Sequence, residues 1–96
     1  MYALILIRYR RPIDEVNAAT TAHREYLATL REGGVLLASG PFDPRTGGAL
    51  LLRIPDDDAG ALDRVRDGDP FWQLGLANYE LLRWVPVIGS ETLDRL

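Results

Sequence analysis

The sequence predicts an α+β fold of the ferredoxin-like kind, a βαββαβ sandwich with two helices on one face of a four-stranded antiparallel sheet. Three observations predict it. Short apolar runs and helix-spaced segments follow one another in that order along 96 residues, a length that suits a single domain over 1–96. Glycine and proline punctuate the joins, at Pro12, Gly33-Gly34 and "DPRTGG". The strands are apolar on both faces, where a sheet with one wet face would alternate.

The first strand is "YALILIRY" (2–9), short, apolar and flanked by charge. Pro12 ends it. In "IDEVNAATTAHREYLATLREGG", Val16, Ala19, His23, Tyr26 and Leu30 recur at intervals of three and four with Leu27 beside them, which is a helix stripe. Pro12 and Asp14 fit its entrance, Gly33-Gly34 supply the stop, and Thr20-Thr21 is a candidate break. "VLLASGPF" (35–42) and "ALLLRI" (49–54) read as strands two and three, a hairpin joined by a longish loop. "AGALDRVRDG" is a short second helix with Leu62 and Val65 inward, preceded by several potential caps in "PDDDAG". "DGDPFWQLGL" (67–76) follows, then "YELLRWVPV" (79–87) as the last strand, and a tail, "IGSETLDRL", with the makings of one helical turn.

Two helices cannot cover both faces of such a sheet. Left bare, the second face would expose an apolar patch well above the few hundred Å² typical of monomers. A homodimer packed sheet face to sheet face is the simplest arrangement that buries it.

Composition narrows the function. With 47% hydrophobic and 26% charged residues the chain reads as an ordinary globular domain, and a net charge of −3 gives no footing for nucleic acid or an anionic membrane. The absence of cysteine excludes disulfides, thiol catalysis and cysteine-ligated metals. All eleven basic residues are Arg, a bias expected of a GC-rich bacterial genome; without Lys there is neither Schiff-base chemistry nor a Walker-type loop. In "MYALILIRYRR" the charges follow the apolar stretch, unlike a signal peptide, and no segment approaches the roughly 20 apolar residues that span a bilayer. A cytoplasmic location is expected.

Among candidate groups, His23 is the chain's one histidine and lies on the apolar stripe of the first helix. It reads either as a core residue or as a general acid or base. Both roles need a partner, because an unpaired buried imidazole costs on the order of 1–3 kcal/mol. Asp69 before Pro70 has the pattern of a helix N-cap and first residue, yet a cap leaves one carboxylate oxygen to accept from an imidazole. Ser39, at a strand end before Gly40-Pro41, reads as a turn residue or a ligand contact; without a G-x-S-x-G elbow it supports no hydrolase triad. Arg8 and Arg53 could meet an anionic ligand or serve as salt-bridged scaffolding, and Phe71 and Trp72 could wall a pocket or fill the core. Asp56 to Asp58 and Asp63 read as caps and solvated helix face. One histidine and no cysteine argue against zinc, while a carboxylate-bound hard cation stays open. No motif for a redox cofactor is found, so none is expected.

Three segments in order, "AHREYL", "GGVLLASGPF" and "DGDPFWQLGL", resemble the YCII-related (YciI-like) family of small bacterial proteins over nearly the whole chain. The resemblance implies a ferredoxin-like fold dimerised as an α/β barrel and a His–Asp pair in a pocket, proposed in the family as an active site. The pair carries onto His23 and Asp69; Ser39 matches a less constant position. The segment "RRPIDEVNAATTAH" is longer than in compact members. A few relatives are linked to breakdown of chlorinated aromatics, and barrels of this type include muconolactone isomerases and small monooxygenases, an analogy of fold alone. The expected function is acid–base chemistry, of isomerisation, elimination or lyase type, on a small organic acid or aromatic compound. His23 would move the proton, Asp69 would orient it, and Ser39, Phe71 and Arg8 would contact substrate. The alternative is a non-catalytic dimer that binds a small ligand or a partner, with the His–Asp pair structural. A His23 sealed from every cavity would exclude the first; a His23 on a cavity with one ring nitrogen free supports it.

Overall fold

A computed structural model describes residues 1–96. The elements are β1 (Tyr2–Tyr9), α1 (Ile13–Glu32), β2 (Leu36–Pro41), β3 (Gly47–Arg53), α2 (Ala61–Asp67), α3 (Pro70–Gln73), β4 (Ala77–Trp84) and α4 (Ser90–Asp94). All strand pairs are antiparallel and the sheet order is β2-β3-β1-β4, the ferredoxin-like arrangement.

β1 alternates strictly. Ala3, Ile5 and Ile7 are buried under the helices, with Leu50 and Leu52 of β3 beside them. The α1 stripe packs on this layer through Val16, Ala19 and Leu27, and Leu62, Val65 and Phe71 close it. α1 runs unbroken through Thr20, whose hydroxyl donates to the Val16 carbonyl, 3.0 Å, and so has a partner without leaving the helix. It ends in a Schellman motif. Gly34 takes φ +78°, and the Val35 and Gly34 amides donate to Leu30 and Arg31.

Three differences from the sequence reading have physical causes. β3 begins at Gly47 rather than 49, because Gly47 and Gly48 pair with Arg8 and Ile7 of β1. β4 spans Ala77–Trp84 rather than 79–87, and Pro86, lacking an amide donor, falls outside it. The helical turns expected after Asp69-Pro70 and in the tail are α3 and α4, and the difference is one of placement. α4 lies on the other side of the sheet, drawn there by Tyr2 and Arg53, which the pleat turns away from α1. There Tyr2 donates to Asp94, and Arg53 donates to the Leu93 and Leu96 carbonyls.

Gly47 marks a close approach of two backbones, since a Cβ there would lie 1.8 Å from the Ile7 carbonyl oxygen. Gly47→Ala is therefore expected to pry β3 from β1 and cost at least about 2 kcal/mol in urea unfolding, whereas ordinary surface substitutions stay within about 0.5 kcal/mol. A variant as stable as the parent would show that the strands separate there at no cost.

The sheet face away from α1 carries Leu4, Leu6, Ala49, Leu51, Leu82 and Trp84, by the alternation of the three paired strands. Trp84 is 40% exposed and Leu82 37%, and Val85, Val87 and Ile88 beyond them are open to solvent. No helix is long and apolar enough to cross a membrane.

Candidate active site

The site forms where α1 passes over α3. Asp69 is extended, φ −81° and ψ 125°, and its Oδ1 accepts the Phe71 amide at 3.0 Å, with Pro70 at the first helical position. The turn ends as α1 does, with Gly75 at φ +67° and the Leu76 amide on the Phe71 carbonyl. Asp69, Pro70, Phe71, Gly75 and Leu76 thus all have local roles in this turn. Capping is only half of what Asp69 does.

The carboxylate is 1% exposed, and Oδ1 also lies 2.8 Å from His23 Nδ1. One oxygen serves both donors, where the sequence suggested one each. In the neutral imidazole the bonded nitrogen carries the proton, because a carboxylate only accepts, and Nε2 keeps its lone pair. Nε2 has no protein partner. Two features hold the histidine. Its ring stacks on Phe71, centroids 3.9 Å apart and planes within 8°, and Tyr9 meets the same phenyl edge-on at 5.9 Å. Three residues along α1, Tyr26 donates to the Val65 carbonyl at the end of α2, 2.8 Å, and its ring covers Gly68, where a Cβ would meet it at 2.6 Å. His23 and Tyr26 together fasten α1 to the α2–α3 junction.

His23 lines a cavity of about 200 Å³ between α1 and the sheet. Ile7, Leu27, Leu50 and Phe71 form its apolar walls. Engineered apolar cavities of about 150 Å³ hold benzene, so one substituted ring fits. Ser39 and Phe71 are both at this cavity. Ser39 reaches it through a β-bulge. The register slips between Leu36 and Ala38, so Ser39 rather than Ala38 comes opposite the buried Leu50. Arg8 does not reach it: strand alternation places Arg8 on the opposite face from Ile7, where it pairs with Glu80 at 3.4 Å. Arg53, likewise on that face, holds α4.

Sequence reasoning missed Arg45, Arg24 and Thr20 at the cavity, and Tyr79 beneath the turn. Thr20 lies one helical turn before His23, a spacing that could have flagged it; Arg45 sits in a turn and gave no periodic signal. Tyr79 comes from β4, opposite Ile7, with its ring edge-on to Trp72 at 5.6 Å. Its hydroxyl and Asp69 Oδ2 are buried without hydrogen-bond partners. Burial first, and then the charge of Asp69, push the Tyr79 phenol well above its ordinary value, so it stays a neutral donor beside the carboxylate. No cluster of three or more His, Asp or Glu side chains is arranged to hold a metal ion.

The fold and site define an α+β sandwich in which a partly buried His23, paired with the buried Asp69, lines a cavity of about 200 Å³. A family model for the YCII-related domain matches residues 1–85, and the chain belongs to that family. Among solved structures it is similar to 5-chloro-2-hydroxyhydroquinone dehydrochlorinase (TftG) from Burkholderia phenoliruptrix AC1100, in complex with 2,5-dihydroxybenzoquinone. That likeness has a TM-score of 0.76 at 23% identity and covers 91% of this chain and 96% of the other. Curated protein sequences contain no significant match.

Proposed function

We propose that the protein is a small cytoplasmic enzyme that moves a proton on a small organic acid or aromatic compound, in a reaction of isomerisation, elimination or lyase type. The observation that carries this is the placement of His23: Nδ1 is held by the buried Asp69, while the residue lines a cavity with Nε2 unpartnered. A neutral imidazole oriented in this way offers Nε2 as a general base. Asp69 then faces the positive charge that develops on the ring. The cavity walls suit one apolar ring, and Ser39 can add a hydrogen bond to a substituent. TftG, a solved structure of similar fold that is a dehydrochlorinase of an aromatic compound, supports this reading.

A second reading has its own support, since Asp69 also caps α3 and is almost wholly buried: on that reading the pair is purely a clamp in a non-catalytic binding dimer. His23→Gln separates the two. Incubated with 5-chloro-2-hydroxyhydroquinone and followed by chloride release, the parent is expected to turn over, and His23→Gln to lose roughly 10²–10⁴-fold at a nearly unchanged melting temperature. Parent-like turnover in the variant, or a collapse of its stability alongside activity, would instead favour the clamp.

Assembly belongs to the same reading. A second copy packed on the face of Leu4, Leu6, Leu51 and Leu82 would bury apolar side chains that α4, at one end of that face, leaves partly exposed.

A further inference from the structure

We propose that Arg45 is the anion receptor of the cavity, so that the ligand it selects is a small planar compound bearing an ionised oxygen, whether carboxylate, phenolate or enolate. The inference rests on the reading of the cavity as a site for one small ring and adds the charge that ring must carry.

Arg45 is oriented by neutral groups alone. One nitrogen, Nη1, donates to Asn17 Oδ1 at 2.7 Å, Nη2 lies 3.5 Å from Thr20 Oγ1, and the guanidinium sits over the Tyr9 ring, 5.8 Å from its centroid. Arg8, Arg11, Arg64 and Arg66 each have a carboxylate within 4 Å; Arg45 has none. A guanidinium presents five N–H donors in a planar fork, so donors remain for a ligand. The three neutral contacts set the direction of the fork and leave its charge uncompensated.

The surroundings point the same way. No Asp or Glu lines the cavity, and Arg24 adds a second cation to its rim. Asp69, the acid behind His23, is 1% exposed and already engaged through Oδ1. A ligand entering the cavity therefore meets positive charge beside apolar walls, and an anionic oxygen on it can take a charge-assisted hydrogen bond from the guanidinium. The chemistry is consistent. When Nε2 of His23 takes a proton from an sp3 ring carbon next to a ring carbonyl, the C–H bonding pair becomes the new C=C bond. The carbonyl π pair moves onto its oxygen, and a guanidinium paired with that enolate oxygen stabilises the charge.

The probes are benzoate and benzamide, which share size and planarity but differ in charge. Each is titrated against the parent, Arg45→Gln and Arg45→Lys while the imidazole signal of His23, the one histidine in the chain, is followed by NMR. Benzoate is expected to bind the parent roughly ten- to a hundredfold more tightly than benzamide, the scale of one hydrogen-bonded charge pair. Arg45→Gln should abolish that preference and Arg45→Lys retain part of it, with melting temperatures unchanged because the residue is exposed. If benzoate binds and its preference survives in Arg45→Gln, the inference alone is overturned and Arg24 or the imidazole supplies the charge. If neither probe disturbs His23 in the parent, the reading of the cavity as a ring site fails, and the role of Arg45 with it.

Discussion

Asp69→Ala is expected to lower the stability of the protein by about 2–4 kcal/mol, more than His23→Gln. The estimate adds the loss of an N-cap, about 1 kcal/mol, to the loss of the acceptor for a buried imidazole N–H, about 1–3 kcal/mol. Both losses fall on a single oxygen, because Oδ1 alone receives the Phe71 amide and His23 Nδ1. In the parent the carboxylate is 1% exposed, so both donors depend on it rather than on solvent. Asp69→Asn divides the two duties. Its carbonyl oxygen still caps α3, so stability should fall by only about 1 kcal/mol, yet a neutral amide no longer faces the imidazolium with a charge. Urea midpoints at unchanged slope measure the first effect, and chloride release the second. If Asp69→Ala unfolds at the parent's midpoint, the α1–α3 junction is held by Phe71 and Tyr26 alone.

The second large effect is expected on the open sheet face. Leu51 lies at its centre, opposite Leu4 on β1 and Ala38 on β2. Leu51→Asp leaves the core beneath α1 untouched, because the neighbouring Leu50 and Leu52 are the residues that face it. In a dimer joined through this face, the same carboxylate would be buried against apolar side chains at a cost of several kcal/mol per subunit. Parent protein is therefore expected to sediment as a dimer at micromolar concentration and Leu51→Asp as a folded monomer. The monomer's melting temperature should be lower by the lost association. A monomeric parent would sink the proposal and leave the face to another partner.

Much of this protein was legible in its sequence because much of it is local. The three-and-four spacing of Val16, Ala19, His23 and Tyr26 writes the buried stripe of α1 directly. Asp69-Pro70 with Gly75 writes a capped turn whose N-cap and C-terminal hydrogen bonds close within eight residues. The two-sided apolarity of β1 was equally plain and reappears as Leu4 and Leu6 facing away from the helices. Pairing His23 with Asp69, 46 positions apart, was a different matter. Spacing made each residue plausible alone, and the family resemblance, not periodicity, joined them.

What remained was decided by the tertiary structure, for reasons of register and approach. Simple alternation from Leu36 would have turned Ser39 away from the helices; a one-residue bulge turned it to the cavity, and bulges leave no mark in a run such as "VLLAS". Arg8 was excluded by the same pleat that made Ile7 core. Arg45 and Tyr79 come from a turn and from the far edge strand, and they meet the site only once the sheet order β2-β3-β1-β4 is set. By itself, then, the sequence determined the elements, their inward faces and the capping of α3, all governed by contacts within a few residues. The cavity, its uncompensated arginine and the free edge of His23 arise from long-range packing, where residues far apart in the chain share one volume.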